Sequence, residues 1–394
     1  MSMLVLPRLG ATVAACLLLG CVPSVRMPSV LEPIESPAWK TCAGQLADRE
    51  AAGLIDDLTL DSKTLLCRGV VLAQAGQVEK SLEVLEEASV RDRTDHRAHY
   101  LKGRILAAAG RYEEALAAFD RSARLFPTLE IPTERLGREI ADKSGPERAV
   151  VFLEVARERK LCPASCEAYL ARLYHETRRD DRAEAIWRAL VQKTPDEPTA
   201  YVGLATLVSA RNDFAAEADL LAQAVLAAKF AELPAARRAE ILHGRAFALY
   251  NAKRHDEAAK VIDEATALDD GHADWHVLAG WIDLARGDAA AALGSFELAG
   301  QRDPRLVAAD VGRADALTAL GRLVDARAVL TVARQREPGN GIIVLKLARV
   351  VALGGNKDEA ARLVDEAVRL APDNLPGELV DELNRLIGPR SATN

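Results

Sequence analysis

Small residues recur along the chain at a fixed spacing of 34 positions, with one slip of seven residues near the middle. The first series is Gly69, Gly103, Gly137, Ala171, Ala205, Ala246, Gly280, Ala314 and Ala348. The second series is Ser81, Ala115, Ala149, Ala183, Ala258, Ala292, Ala326 and Ala360. The third is Pro127, Pro195, Pro304, Pro338 and Pro372. A period of this length indicates stacked structural repeats, in which each unit buries its apolar face against its neighbours.

Three units carry the pattern most fully. The first has Gly103, Leu106, Gly110, Ala115, Phe119 and Pro127; the second has Leu170, Ala171, Tyr174, Ala183, Trp187 and Pro195; the third has Gly280, Gly287, Ala292, Phe296, Ala299 and Pro304. These units resemble the tetratricopeptide repeat, a helical hairpin with the signature W-x2-L-G-x2-Y, then A-x3-F, then P. The resemblance covers about residues 62 to 372 and departs from the pattern between Thr199 and Arg238. It implies an all-α protein, a right-handed α-solenoid of about nine helical hairpins with a C-terminal capping helix.

Packing explains why small residues are needed at these positions. The first series lets the two helices of a hairpin approach closely, and the second lets the next hairpin dock. Gly76, Gly110, Gly287, Gly321 and Gly355 fall between the helices, where a C-cap favours a left-handed backbone. Only 4% of the residues are aromatic, which also favours closely packed helices over sandwiches or barrels.

The sequence predicts six segments. Residues 1–20 form a lipoprotein signal peptide, 21–37 a flexible tether, 38–61 an N-terminal helical cap, 62–238 repeat units 1–5, 239–372 units 6–9, and 373–394 a C-terminal capping helix and tail. The capping helix is expected over residues 376 to 387, where apolar residues recur at helical spacing among acidic ones.

The N-terminal segment predicts export and lipidation. Arg8 precedes a short apolar stretch that ends in Leu18-Leu19-Gly20-Cys21, which resembles a bacterial lipobox. Cys21 is then the lipid-bearing residue, and Val22 after it implies the outer membrane, facing the periplasm. The alternatives are a cut before Cys16, or an ordinary secretory peptide with Cys21 paired elsewhere.

Four cysteines follow the tether: Cys42, Cys67, Cys162 and Cys166. An even number in an exported chain indicates two disulfides, for which three connectivities exist. Local pairing, Cys42 with Cys67 and Cys162 with Cys166, is the simplest. The alternative for the second pair is a redox or metal site, but the CxxC spacing is lacking.

The motifs of a catalytic site are missing from the sequence. Its seven histidines form no zinc-binding pattern, and no nucleophile elbow or phosphate loop is present. His272 and His276 are four residues apart beside Asp269 and Asp270, which favours an exposed turn over a weak metal site. The net charge of −7 is dispersed, which does not favour nucleic-acid binding. We therefore expect neither an enzyme nor a bound cofactor or metal.

Protein binding is the expected activity. First helices line the inner surface of such stacks, and the residue after each first-series position should face that groove. This row is Val70, Arg104, Arg138, Arg172, Thr206, Phe247, Trp281, Asp315 and Arg349. The candidate partner-binding residues are Arg97, Tyr100, Arg104, Arg138, Arg172, His175, Phe247, Tyr250 and Trp281. The arginines would hold an extended acidic segment and the aromatic residues an apolar anchor. Alternatively, carboxylates of the stack pair with the arginines and the aromatic side chains belong to the core.

The expected function is a scaffold or assembly factor in the bacterial outer membrane. Pilotins of secretin rings and accessory subunits of the barrel assembly machine are lipid-anchored proteins of this architecture. The alternative is a docking subunit for polysaccharide export or for peptidoglycan-modifying enzymes. Architecture alone does not choose between them, and it does not predict the oligomeric state.

Overall fold

A computed structural model describes residues 37–51, 61–128, 131–372 and 375–388. These residues form twenty α-helices and one short 3₁₀ helix, and no strand occurs among them. Contacts divide the chain into two units, residues up to 179 and residues from 180.

The first unit contains α1 to α8. Their bounds are α1 Pro37–Ala51, α2 Ser62–Gln74, α3 Val78–Arg91, α4 His96–Ala108, α5 Tyr112–Leu125, α6 Thr133–Ser144, α7 Pro146–Glu158 and α8 Ala164–Glu176. Helices α2–α3, α4–α5 and α6–α7 pair as hairpins, and each hairpin packs on the next.

The second unit contains α9 to α20. Their bounds are α9 Asp180–Lys193, α10 Pro198–Ser209, α11 Phe214–Leu226, α12 Ala235–Asn251, α13 His255–Leu268, α14 Ala273–Ala285, α15 Ala289–Arg302, α16 Val307–Ala319, α17 Leu323–Arg336, α18 Gly341–Leu353, α19 Lys357–Leu370 and α20 Gly377–Ile387. The hairpins are α10–α11, α12–α13, α14–α15, α16–α17 and α18–α19, and α20 packs on α18 and α19. The prediction of an all-α fold built from helical hairpins is confirmed.

Glycines of the first series let paired helices touch. A Cβ atom on Gly69 would lie 2.7 Å from the side chain of Leu85, and one on Gly103 would lie 2.6 Å from Phe119. Because real Cβ atoms do not come so close, a larger residue would push each hairpin apart. All eight residues of the second series are completely buried, as close docking requires.

The turns within the hairpins contain a left-handed residue. In six of them it is glycine, with φ between 75° and 91°: Gly76, Gly110, Gly145, Gly287, Gly321 and Gly355. In the turns of the two other hairpins, non-glycine residues have positive φ, namely Asn212 (58°) and Lys253 (65°), and so does Arg178 (60°), which follows α8. The turn therefore requires a residue with positive φ, whether or not that residue is glycine.

The seven-residue slip in the repeat has a structural counterpart. A 3₁₀ helix, Ala228–Glu232, is inserted after α11, and α12 has 17 residues where the first helices elsewhere have 12 or 13. Phe230 and Leu233 of this insertion pack against the core of the α10–α11 hairpin. The extra residues therefore add packing surface and do not break the stack.

Both disulfides join residues close in sequence. Cys42 of α1 pairs with Cys67 of α2, with the two Cα atoms 6.0 Å apart, and Trp39 beside them is completely buried. Cys162 pairs with Cys166 across the first turn of α8, with Cα atoms 5.2 Å apart. The structure therefore adopts the local connectivity.

Several predictions concern residues outside those described. They include the signal peptide, Cys21, the tether up to residue 36 and part of the N-terminal cap (52–60). Within the described part of the chain, no helix combines the length and hydropathy needed to span a membrane.

Candidate functional site

The residues expected to line the groove differ widely in exposure. Val70 is completely buried and Arg104 is only 8% exposed, so both belong to the packed interior. Arg138 and Arg172 have side chains that are 47% and 52% exposed. Thr206 and Phe247 are exposed, whereas the last three members, Trp281, Asp315 and Arg349, are half-buried. Of the three arginines, only Arg138 and Arg172 present an accessible guanidinium.

Tyr169 connects these two arginines. The guanidinium carbon of Arg138 lies 4.4 Å from the centroid of the Tyr169 ring, and that of Arg172 lies 4.8 Å from it. Tyr169 itself is 6% exposed, on α8. Burial raises the pKa of its phenol, and the two nearby positive charges only partly oppose that shift. We call Arg138, Tyr169 and Arg172 the arginine–tyrosine cluster.

Each arginine of the cluster also has a carboxylate partner on its own helix. Arg138 donates from Nη2 to Glu134 Oε1 at 2.7 Å, and Arg172 lies 3.5 Å from Glu176. Burial raises the pKa of Glu134, but hydrogen bonds from Arg138 and Ser165 outweigh it and leave the pKa lowered. Glu134 is therefore ionised at neutral pH and orients Arg138.

A cleft of about 400 Å³ opens beside the cluster. It is lined by Tyr100, Ile131, Pro132, Glu134, Arg135, Arg138, Pro163 and Ser165. Pro163 and Ser165 lie within the Cys162–Cys166 loop, so this disulfide fixes one wall. The other wall comes from α4 and α6. The cleft can hold an apolar side chain within reach of two guanidinium groups.

The other predicted binding residues of the first unit are less exposed than Arg138 and Arg172. Arg97 donates from Nε (2.8 Å) and Nη2 (2.7 Å) to Asp95, which is buried and also caps α4. Tyr100 is 1% exposed and packs edge-on against Phe119, at 5.6 Å between centroids. His175 is half-buried. Arg97 is therefore held by Asp95, and Tyr100 contributes to the packing below the surface rather than to the exposed surface itself.

The aromatic residues of the second unit are shared between core and surface. Phe247 is 44% exposed and meets Phe214 edge-on at 6.4 Å. Tyr250 packs partly into the core, 5.6 Å from the ring of His255. Trp281 lies against the buried Phe296 at 5.2 Å. Of the three, only Phe247 is mainly exposed.

Charges near the end of the row are paired between hairpins. Lys346 of α18 contacts Asp315 of α16 at 2.5 Å, with side chains 19% and 15% exposed. Arg349 of α18 donates to Glu382 of α20 at 2.8 Å. These pairs join separate helices and are less exposed than the same-helix pairs of the arginine–tyrosine cluster. A ligand would displace the exposed same-helix pairs at lower cost.

Charge is segregated between the two kinds of helix in the first unit. The first helices α2, α4, α6 and α8 carry nine Lys and Arg against five Asp and Glu. The second helices α3, α5 and α7 carry six Lys and Arg against ten Asp and Glu. The excess of positive charge lies on α2 and α4, which carry five Lys and Arg and no Asp or Glu, whereas α6 and α8 carry four and five. Positive charge on α2 and α4 attracts acidic segments.

The structure shows no cluster of His, Cys, Asp or Glu that could hold a metal among the residues it describes. His276 is buried, and its Nε2 lies 3.3 Å from the Asp270 carbonyl oxygen. His272 stacks on the buried Trp275 at 4.3 Å, and His243 stacks on the same residue at 4.9 Å. These histidines therefore have structural contacts.

Sequence reasoning missed Tyr169. It faces Arg138 of α6 and Arg172 of α8 together, although no repeat signature places an aromatic residue there. The available signal was its position three residues before Arg172, which puts the two side chains on one face of α8.

Comparisons with known proteins agree with the fold. A family model described as tetratricopeptide repeat matches residues 68–130 and 311–374. No curated protein resembles the chain closely enough in sequence to count as a relative.

Three solved structures with similar folds are distant in sequence from this chain. A tetratricopeptide repeat protein from Parabacteroides merdae is 15% identical, with 65% of this chain and 97% of that one covered and a TM-score of 0.46. Pseudomonas aeruginosa pilF is 20% identical, with 56% and 96% covered and a TM-score of 0.44. YrrB, described as having an unusual peptide-binding site, is 16% identical, with 50% and 97% covered and a TM-score of 0.39. Likeness at this level carries no argument about partners. With its helical hairpins and the two segments that match the repeat model, residues 68–130 and 311–374, the chain is similar to tetratricopeptide repeat proteins.

Proposed function

We propose that the chain is a non-enzymatic protein-binding scaffold that holds an extended acidic segment of a partner on its first helices. The observation that carries this proposal is the arginine–tyrosine cluster. There two half-exposed guanidinium groups flank one tyrosine ring, and the preceding first helices α2 and α4 carry only basic charged residues. Arginine recognises carboxylates through directed hydrogen bonds, and stacking on an aromatic ring fixes the orientation of its guanidinium group.

The existing partners of these arginines do not prevent binding. Glu134 and Glu176 lie four residues from Arg138 and Arg172 on the same exposed helix faces. Pairs of this type contribute about 0.3–0.5 kcal/mol, so a carboxylate of the partner can replace them at small cost. The cleft beside Arg138 would take an apolar side chain of the same segment.

The exposed aromatic surface of the second unit supplies a further candidate contact. Phe247 is 44% exposed with Phe214 at its edge, and α10 beside them carries no charged residue. An apolar residue of the partner would bury its surface against Phe247.

Photo-crosslinking tests this proposal directly. A photoreactive amino acid replaces Glu176 or Thr206 on first helices, which leaves Arg138 and Arg172 intact, and a control version carries it at Arg124, which is 78% exposed on the second helix α5. After irradiation of intact envelopes, mass spectrometry identifies the attached segments. We expect the first-helix positions to recover segments rich in Asp and Glu that the Arg124 position does not recover. Equal recovery from both, or segments without acidic residues, would contradict the proposal.

We further propose that the scaffold is attached by lipid at Cys21 to the outer membrane, facing the periplasm. The support is the Leu18-Leu19-Gly20-Cys21 sequence, together with the two cysteine pairs, which suit an oxidising compartment. Replacing Cys21 with Ala should abolish incorporation of labelled palmitate and release the chain from the membrane fraction. Retention of label in the variant would contradict lipidation at Cys21.

Within this proposal, the partner belongs to an envelope assembly machine, as for a pilotin or an accessory subunit of barrel assembly. The alternative is a docking subunit for polysaccharide export or for peptidoglycan-modifying enzymes. Deletion distinguishes them. Loss of a secretin ring or of barrel proteins supports the first reading, whereas altered polymer output with normal secretin and barrel levels supports the alternative.

A further inference from the structure

One position of the second small-residue series breaks the pattern. Between Ala183 and Ala258, the series position of the α10–α11 hairpin is occupied by Glu217. The eight other members are Ala or Ser and are completely buried. Glu217 is 8% exposed, so a carboxyl group lies where the fold elsewhere accepts only a small side chain.

The carboxyl group of Glu217 lacks hydrogen-bond partners for part of its surface. Its Oε2 atom is inaccessible to solvent and has no hydrogen-bond partner. A hydrogen bond with Ser209 of α10 is the one favourable contact that acts on its ionisation. No charged group of α10, α11 or α12 contributes to that ionisation. An ionised carboxylate in this place is therefore desolvated with only the Ser209 hydrogen bond in compensation, which is costly.

The same position in the first hairpin shows what the site prefers. Ser81 lies there, and its hydroxyl donates to the carbonyl oxygen of Gly69 at 2.6 Å in the interior. In that hairpin the position accommodates a neutral donor with an acceptor beside it. Only a protonated Glu217 can donate, because a carboxylate has no proton to give.

The surrounding helices contain further unsatisfied groups. The buried Nε atoms of Arg238 and Arg245 on α12, which packs on α11, have no partner. The Nδ1 atom of His255 at the start of α13 is also unpartnered. Including Glu217, four of the seven such side chains in the described residues lie between positions 217 and 255. Buried polar atoms without a hydrogen-bond partner are therefore concentrated in this part of the described chain.

We propose that the α10–α11 hairpin is a proton-linked weak point of the repeat stack, which opens locally when Glu217 is ionised. The closed hairpin holds the neutral carboxyl, and the open hairpin exposes the carboxylate to water.

The direction of the pH dependence follows from burial. Desolvation raises the pKa of Glu217 in the closed hairpin. Below the ordinary range of a glutamic acid, the group is protonated in both states and burial has no ionisation cost. As pH rises through the window up to the raised pKa, the open state releases its proton first. The closed hairpin therefore loses stability across that window and remains less stable above it.

Native-state hydrogen exchange tests this in the full chain. Protection factors of backbone amides in α10 and α11 are measured at about pH 4.5 and about pH 7.5, with the α16–α17 hairpin as internal reference. There Ala326 fills the same position and is completely buried. We expect α10–α11 protection to fall at the higher pH, because Glu217 ionises readily in the open hairpin whereas burial opposes its ionisation in the closed one. The reference hairpin should change little.

Three variants complete the test. Glu217→Gln keeps the shape but cannot ionise, so it should remove the pH dependence. Glu217→Ala restores the residue of the series and should raise protection at neutral pH. Glu240→Gln, on an exposed residue of α12 paired with Arg237, should leave the wild-type behaviour unchanged. A wild-type hairpin with pH-independent protection, or a Glu217→Gln variant that keeps the dependence, would overturn the proposal.

Discussion

At the scale of single residues, the hairpin turns show how the backbone restricts side-chain choice. Arg178 and Lys253 adopt φ values of 60° and 65° in turns whose counterparts contain glycine. Both side chains are exposed, so packing does not offset the unfavourable backbone conformation. A residue with a Cβ atom costs about 1–2 kcal/mol in this region relative to the right-handed one.

Replacing Arg178 or Lys253 with Gly should therefore stabilise the protein. We expect the free energy of unfolding to rise by about 0.5–1 kcal/mol per site, because relief of the strained backbone exceeds the greater flexibility of glycine in the unfolded chain. Thermal or denaturant unfolding measures the change.

Two controls accompany this prediction. Asn212→Gly should have a smaller effect, since Asn tolerates the left-handed region better than Arg or Lys. Gly294→Ala, in the middle of α15, reverses the substitution at a helical site. Its Cβ atom would meet nothing within 4 Å, so it should stabilise by about 0.5–1 kcal/mol. Destabilisation by Arg178→Gly would contradict the account of the turns.

The binding residues could be predicted only in part, for a reason visible at this scale. Arg104, Arg138 and Arg172 occupy equivalent sequence positions, yet the first is buried and the other two are half-exposed. Periodicity gives the face of a helix, whereas exposure also depends on which neighbouring side chains cover that face. The contact of Tyr169 with two arginines from two helices is likewise a tertiary feature.

At the scale of helices, close approach between neighbours depends on paired glycines. Phe296 of α15 packs against Gly280 of α14, where a Cβ atom would lie 2.6 Å from its ring, and against Gly312 of α16, where one would lie closer still. The ring is completely buried between the two helices.

Gly280→Ala should destabilise the second unit by about 1–3 kcal/mol, because the added methyl group forces apart helices that are packed on Phe296. Gly294→Ala again serves as the control, since it makes the same chemical change nearby without a clash. Urea unfolding of both variants measures the difference. Equal stability of the two would show that the glycine does not set the helix spacing.

The two disulfides should differ in their contribution to stability. Cys42 and Cys67 are 25 positions apart, whereas Cys162 and Cys166 are separated by four. The chain-entropy estimate gives about 3.5 kcal/mol for the first and about 2 kcal/mol for the second. Removing each pair by substitution with Ala and measuring denaturant unfolding tests the order. A larger loss from the Cys162–Cys166 pair would contradict the estimate and would indicate that this loop restrains more than itself.

The helices themselves could be read from the sequence with good accuracy. Spacing placed Gly103 and Gly280 in the first helices of two hairpins, and they lie in α4, His96–Ala108, and in α14, Ala273–Ala285. The capping helix, expected over 376 to 387, is Gly377–Ile387. The least regular segment was the one around the slip, because a 3₁₀ insertion and a longer α12 shift the spacing without leaving a recognisable motif.

At the scale of the whole molecule, the stack of repeats must be closed at its end. Leu383 of α20 is completely buried in the apolar cluster formed with α18 and α19, and Arg349 of α18 donates to Glu382. Each hairpin is stabilised mainly by its neighbours, so the last one depends on this cap.

A chain truncated after Ala371 should lose hydrogen-exchange protection first in α18 and α19, and it should aggregate more readily, because the apolar residues that α20 covers become exposed. Leu383→Ala is a milder test, for which we expect a loss of about 2–5 kcal/mol. Helix α2, at the other end of the chain, provides the reference. Unchanged protection in α18 and α19 would show that α20 is not a cap.

The distribution of charge also belongs to the whole molecule. The sequence shows dispersed charge with a net value of −7, and only the assignment of helices to hairpin positions reveals that the first helices α2 and α4 carry basic but no acidic residues. Their positive charge supports the proposed acidic partner.

The central claim is that the arginine–tyrosine cluster captures an acidic segment, and its most direct test is a quantitative capture measurement. The double variant Arg138→Ala/Arg172→Ala is compared with Arg124→Ala/Arg188→Ala, which removes two exposed arginines paired with carboxylates four residues away on second helices. Arg104 is left intact because it is buried. After crosslinking in envelopes, we expect the first variant to lose most of the acidic partner segments recovered by wild type, with unfolding unchanged and the control pair at wild-type yield. Equal yields from the two double variants would contradict the claim.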